Sequence, residues 1–198
     1  MKDHYILLSP YYSILVKLIF GQRLSRAKRY FIEEVATKNI LIIGGGDGLD
    51  YRHDAEALQG DYWELSHSML NKARKNLANS NLKFHLGNFH AVEPEFDEIW
   101  LHFVLDSISD AELGRLVAEV KKALKPDGIV NFVDFYHPKK KRYRMINFLQ
   151  ISFFRIVASH IRKDIPDYHQ FFTQNNLQKI AEKKWMDGWI KSQLWRNG

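Results

Sequence analysis

Apolar positions along this chain follow two alternating periods. Ile40 to Ile43 is an unbroken branched run that reads as a strand buried on both faces, and four glycines within the next five positions end it. Further short apolar runs at 62–65, 82–86, 96–104 and 129–135 also read as strands. Between them the period lengthens to that of a helix. Met69, Leu70, Ala73 and Leu77 follow Ser66 as N-cap, and Leu113, Leu116, Val117, Val120 and Leu124 follow the capping box Ser109-Asp110-Ala111-Glu112. Leu49–Leu58 predicts a short helix, Asn79-Ser80-Asn81 a turn, and Lys125-Pro126-Asp127-Gly128 a helix stop. Such alternation from Ile40 to Phe135 is the signature of a parallel, doubly wound sheet.

The flanks are mainly helical. Tyr11–Phe20 predicts a helix stopped by Gly21, and Ser25–Ala36 one carrying Ala27, Phe31 and Val35 on a face. Arg144–Ile161 and Thr173–Ala181 read as helices. Lys183–Met186 and Trp189–Trp195 flank Asp187-Gly188, a hairpin signal. The expected fold is α/β: a Rossmann-like, doubly wound, seven-stranded sheet, mostly parallel, with an antiparallel C-terminal hairpin and helices on both faces. Residues 1–198 read as one domain. It comprises N-terminal helices (1–38), a core (39–135), a helical insertion (136–172), and a terminal helix with the hairpin (173–198).

Composition narrows the choice of chemistry. A 198-residue chain that is 45% hydrophobic can bury a large core. The absence of cysteine excludes disulfides and thiolate metal sites, and fits a reducing cytoplasm. His85 and His90 lack partners at metal-ligand spacing and read as structural, so no metal is expected. Tyr5–Phe20, broken by Pro10 and Lys17, is too short to cross a bilayer and makes a poor signal peptide. The net charge of +6 is concentrated at Lys139-Lys140-Lys141-Arg142-Tyr143-Arg144, which reads either as a solvated segment or as a patch for an anionic partner.

The glycines point to a ligand that approaches the main chain closely. Glycine permits positive φ and leaves amide N–H groups uncovered, and a helix starting just after adds its N-terminal dipole. A dinucleotide fingerprint would place a third glycine at position 49, where this chain has leucine. The spacing is instead Gly44-x-Gly46-x-Gly48, with Glu64 at the end of the next strand able to accept from ribose hydroxyls.

These segments resemble the class I S-adenosylmethionine-dependent methyltransferases, particularly the small-molecule enzymes related to ubiquinone and menaquinone biosynthesis. Ile40-Leu-Ile-Ile-Gly-Gly-Gly-Asp-Gly48 is similar to the family's first motif and Trp63-Glu-Leu-Ser-His-Ser-Met-Leu70 to its acidic second. Leu86-Gly-Asn-Phe89 resembles the adenine corner, Phe96–Leu105 the fourth strand and Leu124-Lys-Pro-Asp-Gly128 the turn before the fifth. Leu8-Ser-Pro-Tyr-Tyr12 and Trp189–Trp195 resemble the ends. The resemblance implies an S-adenosylmethionine site. Gly44, Gly45, Gly46, Asp47 and Gly48 would face the methionine part, Glu64 the ribose, Leu65, Asn88 and Phe89 the adenine, and His102 and Phe103 the reacting end. Two departures stand out. Ile42 occupies the place of a usual acidic residue, for which Asp47 is the candidate substitute, and Asn88 stands where Asp is common.

Methyl transfer from a sulfonium is an in-line displacement that needs alignment and exclusion of water, and a base only for some acceptors. His102 is the candidate base, with a histidine satisfied inside the strand end as the competing reading. Tyr11, Tyr12, Tyr136, His137, Tyr168 and His169 are candidates for the acceptor pocket or lid. Residues 139–163 suit either a cover over the sheet or a peripheral membrane contact, and the expected acceptor is small and apolar or aromatic. Two alternatives remain open: a cofactor-binding protein without catalysis, and an RNA methyltransferase. The latter lacks the Asn/Asp-Pro-Pro-Tyr type of motif.

Overall fold

The computed structural model describes residues 20–32, 37–91, 93, 95–138, 140, 143 and 164–198. One seven-stranded sheet organises them. Its strands are β1 (Asn39–Ile43), β2 (Gln59–Glu64), β3 (Asn81–Leu86), β4 (Phe96–His102), β5 (Leu124–Phe135), β6 (Leu177–Trp185) and β7 (Ile190–Asn197), in the order β3-β2-β1-β4-β5-β7-β6. The first five are parallel, and β7 runs antiparallel between β5 and β6. Helices α1 (Arg23–Arg29), α2 (His67–Asn76), α3 (Asp110–Ala123) and α4 (Tyr168–Gln174), and a 3₁₀ helix at Leu49–Ala57, connect or cover the strands.

The branched run of β1 divides its side chains between two cores. Ile40 and Ile42 pack with Tyr51, Tyr62, Leu70, Leu77 and Trp100, while Leu41 and Ile43 join Ile99, Leu101, Leu113, Val117 and Phe132 on the other side. Period-two alternation in a strand covered on both faces makes both sets apolar. At 25 cal/mol per Å², each fully buried isoleucine contributes roughly 1.5–3 kcal/mol. The caps form as their residue types dictate. Ser66 accepts from the Met69 amide, and Ser109 and Glu112 exchange the two bonds of a capping box.

Several boundaries differ from the sequence expectation. The helix expected at Thr173–Ala181 ends at Gln174. Asn176 then adopts φ +57°, and Leu177–Trp185 pairs with β7, because strand pairing outweighs the helical propensity of that stretch. The helix expected from Ser25 ends at Arg29 within the described residues. Lys125–Gly128 does not separate helix from strand. β5 starts at Leu124, paired with Phe96, and the turn is absorbed as a bulge with Asp127 at φ +59°. β2 begins earlier, at Gln59, leaving Leu65 beyond its end, and β4 stops at His102. The helices expected at 11–20, apart from Phe20, and at 144–161 lie outside the described residues. Among the described residues no helix is long and apolar enough to cross a membrane.

Candidate functional site

The parallel strands reverse their order between β1 and β4, and ligands of open α/β sheets bind beyond the carboxyl ends at such a switch. The glycine turn lies there. Gly44, Gly46 and Gly48 have φ of +65°, +69° and +71°, a region that other residues rarely adopt. An added Cβ would come within 2.8 Å of Val104 at Gly44 and 2.8 Å of Leu77 at Gly48, so the turn is wedged between the segment after β4 and α2. At Gly46 it would meet nothing within 4 Å, which leaves that part of the turn open. Asp47 anchors the far end: its Oδ1 accepts from the Leu49 amide at 3.1 Å and its carbonyl from Asn76 Nδ2 at 2.9 Å. Asp50, one residue further on, pairs with Lys28 of α1 at 2.7 Å. Burial pushes its pKa up, but Lys28 holds the carboxyl below its ordinary range.

Glu64 closes the other side. Its Oε2 accepts from the Gly46 amide at 3.0 Å and its Oε1 from the Ser66 amide at 2.8 Å. Each oxygen keeps a further lone pair, and the carboxylate is only partly buried. Beside it Leu65 is 52% exposed, an apolar side chain left open at a strand end. Asn88 is exposed, and Phe89 meets the Trp63 ring edge-on at 5.7 Å. Trp63 in turn stacks on His85, which pairs with Asp61 at 2.8 Å. The topology thus brings the glycines, Asp47, Glu64, Leu65, Asn88 and Phe89 to one end of β1, β2 and β3.

His102 is held differently. It is 3% exposed, with Nδ1 2.9 Å from the Tyr51 hydroxyl and Nε2 3.3 Å from Asn131 Oδ1. Asn131 Nδ2 donates to Glu98, which also accepts from Trp100 Nε1 and Lys38. This chain of donors makes Nε2 the protonated nitrogen and Tyr51 the donor to Nδ1. Burial, aided by the charge on Lys28, lowers the imidazole pKa to about 3, so it stays neutral. Both ring nitrogens therefore serve an internal network. Phe103, next along, has φ +58°, an outlier for a bulky residue, and its amide donates to the Val133 carbonyl at 2.7 Å.

The remaining sequence candidates are dispersed. The Tyr136 hydroxyl donates to Gln193 at 3.0 Å, and its ring lies 5.3 Å from that of Tyr168, which is buried against Phe132. His137 is exposed, and exposed His169 meets the Trp195 ring at 5.6 Å. Tyr11 and Tyr12 lie outside the described residues. Sequence reasoning missed two polar groups. The Tyr62 hydroxyl donates to the Gly46 carbonyl at 3.0 Å; two positions before Glu64, it lies on the same strand face, and that spacing was the available signal. Asp134, fully buried at the end of β5, accepts from the amides of Leu105, Asp106 and Phe135. An aromatic cluster also escaped notice: Phe103, Phe20 and Trp189 surround Phe135 at 4.9–5.8 Å, and Tyr143 stacks on Trp189.

Comparison with known proteins agrees with this fold. Residues 40–128 match the sequence model of a methyltransferase domain. No curated protein matches the chain in sequence. Among solved structures, an S-adenosylmethionine-dependent methyltransferase from Mesorhizobium loti superposes with a TM-score of 0.69 at 16% identity, over 87% of this chain and 97% of that one. A structure of the Trm112 methyltransferase activator of Haloferax volcanii in complex with a putative methyltransferase gives 0.72 at 13%, over 100% and 98%. An O-methyltransferase family 2 protein from Planctomyces limnophilus, in complex with apigenin, gives 0.67 at 15%, over 100% of this chain and 62% of that one. At such identities the structural likeness speaks for the fold. Residues 40–128 thus match a methyltransferase domain, on a chain whose fold is that of the S-adenosylmethionine-dependent methyltransferase it superposes on.

Proposed function

We propose that the protein transfers a methyl group from S-adenosylmethionine to a small apolar or aromatic acceptor. The observation that carries this reading is the open turn at Gly46 beside the partly buried Glu64 carboxylate, at the switch point of the sheet. The donor set fits the cofactor. Glu64 retains acceptor capacity for two ribose hydroxyls, Leu65 offers an apolar face to the adenine with Asn88 and Phe89 around it, and the turn is open at Gly46, the side this reading gives to the methionine part.

When bound, the cofactor supplies an electrophilic methyl group on a sulfonium. The protein's part is to hold the donor, keep water out and align the acceptor. His102 and Phe103, at the end of β4, then shape the floor beneath the reacting end, with His102 positioned through its network rather than free to move a proton. The aromatic cluster of Phe103, Phe135 and Trp189 at the ends of β4, β5 and β7 supports an apolar or aromatic acceptor. The relative bound to apigenin offers a parallel for that class.

A second reading, cofactor binding without transfer, draws on the two engaged nitrogens of His102 and on Ile42, which is fully buried. Calorimetry with S-adenosylmethionine and S-adenosylhomocysteine tests the common part of both. Dissociation constants on the order of tens of micromolar or tighter are expected, and no heat with either ligand overturns both. A methyl-transfer screen over phenolic and quinol acceptors then separates them. Turnover establishes the enzyme, and bound cofactor without turnover of any acceptor class favours the second reading.

A further inference from the structure

The glycine turn is gripped from the neighbouring strand. β1 sends only apolar side chains toward the turn, and Ile42, two residues before it, is fully buried. β2 supplies the polar contacts from three consecutive residues. The Tyr62 hydroxyl donates to the Gly46 carbonyl at 3.0 Å, the Trp63 carbonyl accepts from the Gly44 amide at 2.7 Å, and the Glu64 carboxylate accepts from the Gly46 amide at 3.0 Å.

Gly45 shows how close this grip is. Gly44, Gly46 and Gly48 have positive φ, and Gly45 does not, so its backbone alone does not call for glycine. Yet an added Cβ at 45 would lie 2.4 Å from the Tyr62 hydroxyl oxygen and 2.6 Å from Cζ. Tyr62 is fully buried, its ring 5.4 Å from that of Phe84, and has no room to retreat. Position 45 is therefore kept bare by the tyrosine.

We infer that Tyr62 is a positioning residue for the cofactor loop, which aims the Gly46–Asp47 peptide so that the Asp47 N–H faces away from the strand and toward the ligand. The inference rests on the cofactor reading above. In a trans peptide the carbonyl and the following N–H point in opposite directions, so fixing the Gly46 carbonyl against Tyr62 fixes the Asp47 amide on the opposite side. That amide suits an anionic group, in this reading the carboxylate at the methionine end. Burial keeps the phenol protonated, so the hydroxyl remains a donor at any working pH. In this way a tyrosine one strand away orders a loop whose own strand has isoleucine at position 42.

The test compares wild type with Tyr62→Phe, Gly45→Ala, the double variant, and Val117→Ala. Val117 is fully buried against the other face of the sheet and serves as a stability control. Two quantities are read: affinity for S-adenosylhomocysteine by calorimetry, and amide exchange at 45–48 in the free protein. Loss of one hydrogen bond predicts roughly three- to tenfold weaker binding and similarly faster loop exchange in each single variant. The double variant should be no worse than the worse single one, because both break the same contact. Val117→Ala should lower Tm without moving either quantity. If Tyr62→Phe matches Val117→Ala in both, or if the two effects simply add, the inference fails. Gly45→Ala reads the same contact with the buried tyrosine intact, should Tyr62→Phe fold poorly. If wild type does not bind the ligand, the cofactor reading falls, and loop exchange alone still decides whether Tyr62 positions the turn.

Discussion

The carboxyl ends of β2 and β5 each carry a carboxylate that collects main-chain amides, yet the two residues have different tasks. Glu64 accepts from Gly46 and Ser66, remains partly exposed, and has acceptor capacity left over. Asp134 accepts from Leu105, Asp106 and Phe135, is fully buried, and faces only protein. Burial, together with the nearby Asp106, raises its pKa, while the three amide donors oppose that shift. A carboxylate with all its neighbours supplied by the chain is a loop clamp, and one with spare lone pairs facing open space can hold a ligand. Asp134 sets the segment after β4, whose Val104 side chain packs against Gly44, so the clamp on β5 supports the turn that Glu64 serves directly.

Truncating each carboxylate should separate stability from binding. Asp134→Ala leaves three amides without their acceptor in a dry setting, and urea unfolding should show a loss of about 2–4 kcal/mol. A loss below about 1 kcal/mol would mean that water reaches the site and that the contrast with Glu64 is wrong. Glu64→Ala should do the reverse. S-adenosylmethionine binding should weaken by about 1.5–3 kcal/mol, roughly 10- to 150-fold, with less than about 1 kcal/mol lost in stability, since water can reach the freed amides. Unchanged affinity would remove Glu64 from the site.

His102, on β4 next to the strand of Asp134, offers a pH test of what full burial does to an ionisable group. Its pKa is near 6.5 in the unfolded chain and lowered to about 3 in the fold. Above pH 6.5 both states are neutral and no stability is lost. As pH falls below 6.5 the unfolded state takes up a proton that the fold refuses, so stability declines, by about 2 kcal/mol at pH 5. His102→Gln should lack that decline. Unfolding free energies measured from pH 8 to 5 should therefore converge for wild type and variant on acidification, and parallel curves would show that the imidazole is accessible to protons.

Much of this contrast could be read from the sequence, on one side only. β1, its glycines and Glu64 are local signals: a branched run, a spacing and an acidic residue at a strand end, which the structure brings together as expected. Lys183–Trp185 was legible as one arm of the hairpin, but 177–181 was misread as helix because its strand state comes from pairing with the far end of β7, which local composition does not reveal. Asp134 was invisible for the same reason, since two of its three amide donors, Leu105 and Asp106, lie 29 and 28 positions away. His102 was visible as a histidine at a strand end, but its role depends on Tyr51 and Asn131, which only the folded sheet brings within reach. Tyr62 lay between these cases. Its place on the Glu64 face follows from period two, whereas its contact with Gly46 depends on how the turn folds back.

The smallest expected effect sharpens the open side of the comparison. Leu65 follows Glu64 directly and is 52% exposed, so Leu65→Ala removes little buried surface in the free protein and should leave Tm nearly unchanged. If Leu65 faces the adenine, the side chain becomes covered only when the cofactor binds, and truncation should cost about 0.5–1.5 kcal/mol of affinity through lost apolar contact. The same loss should appear with adenosine alone as ligand, and should vanish with methionine alone. A variant that binds S-adenosylmethionine as wild type does would mean that the adenine lies elsewhere along the strand ends, and that the exposed leucine beside Glu64 has no part in the ligand-facing side of β2.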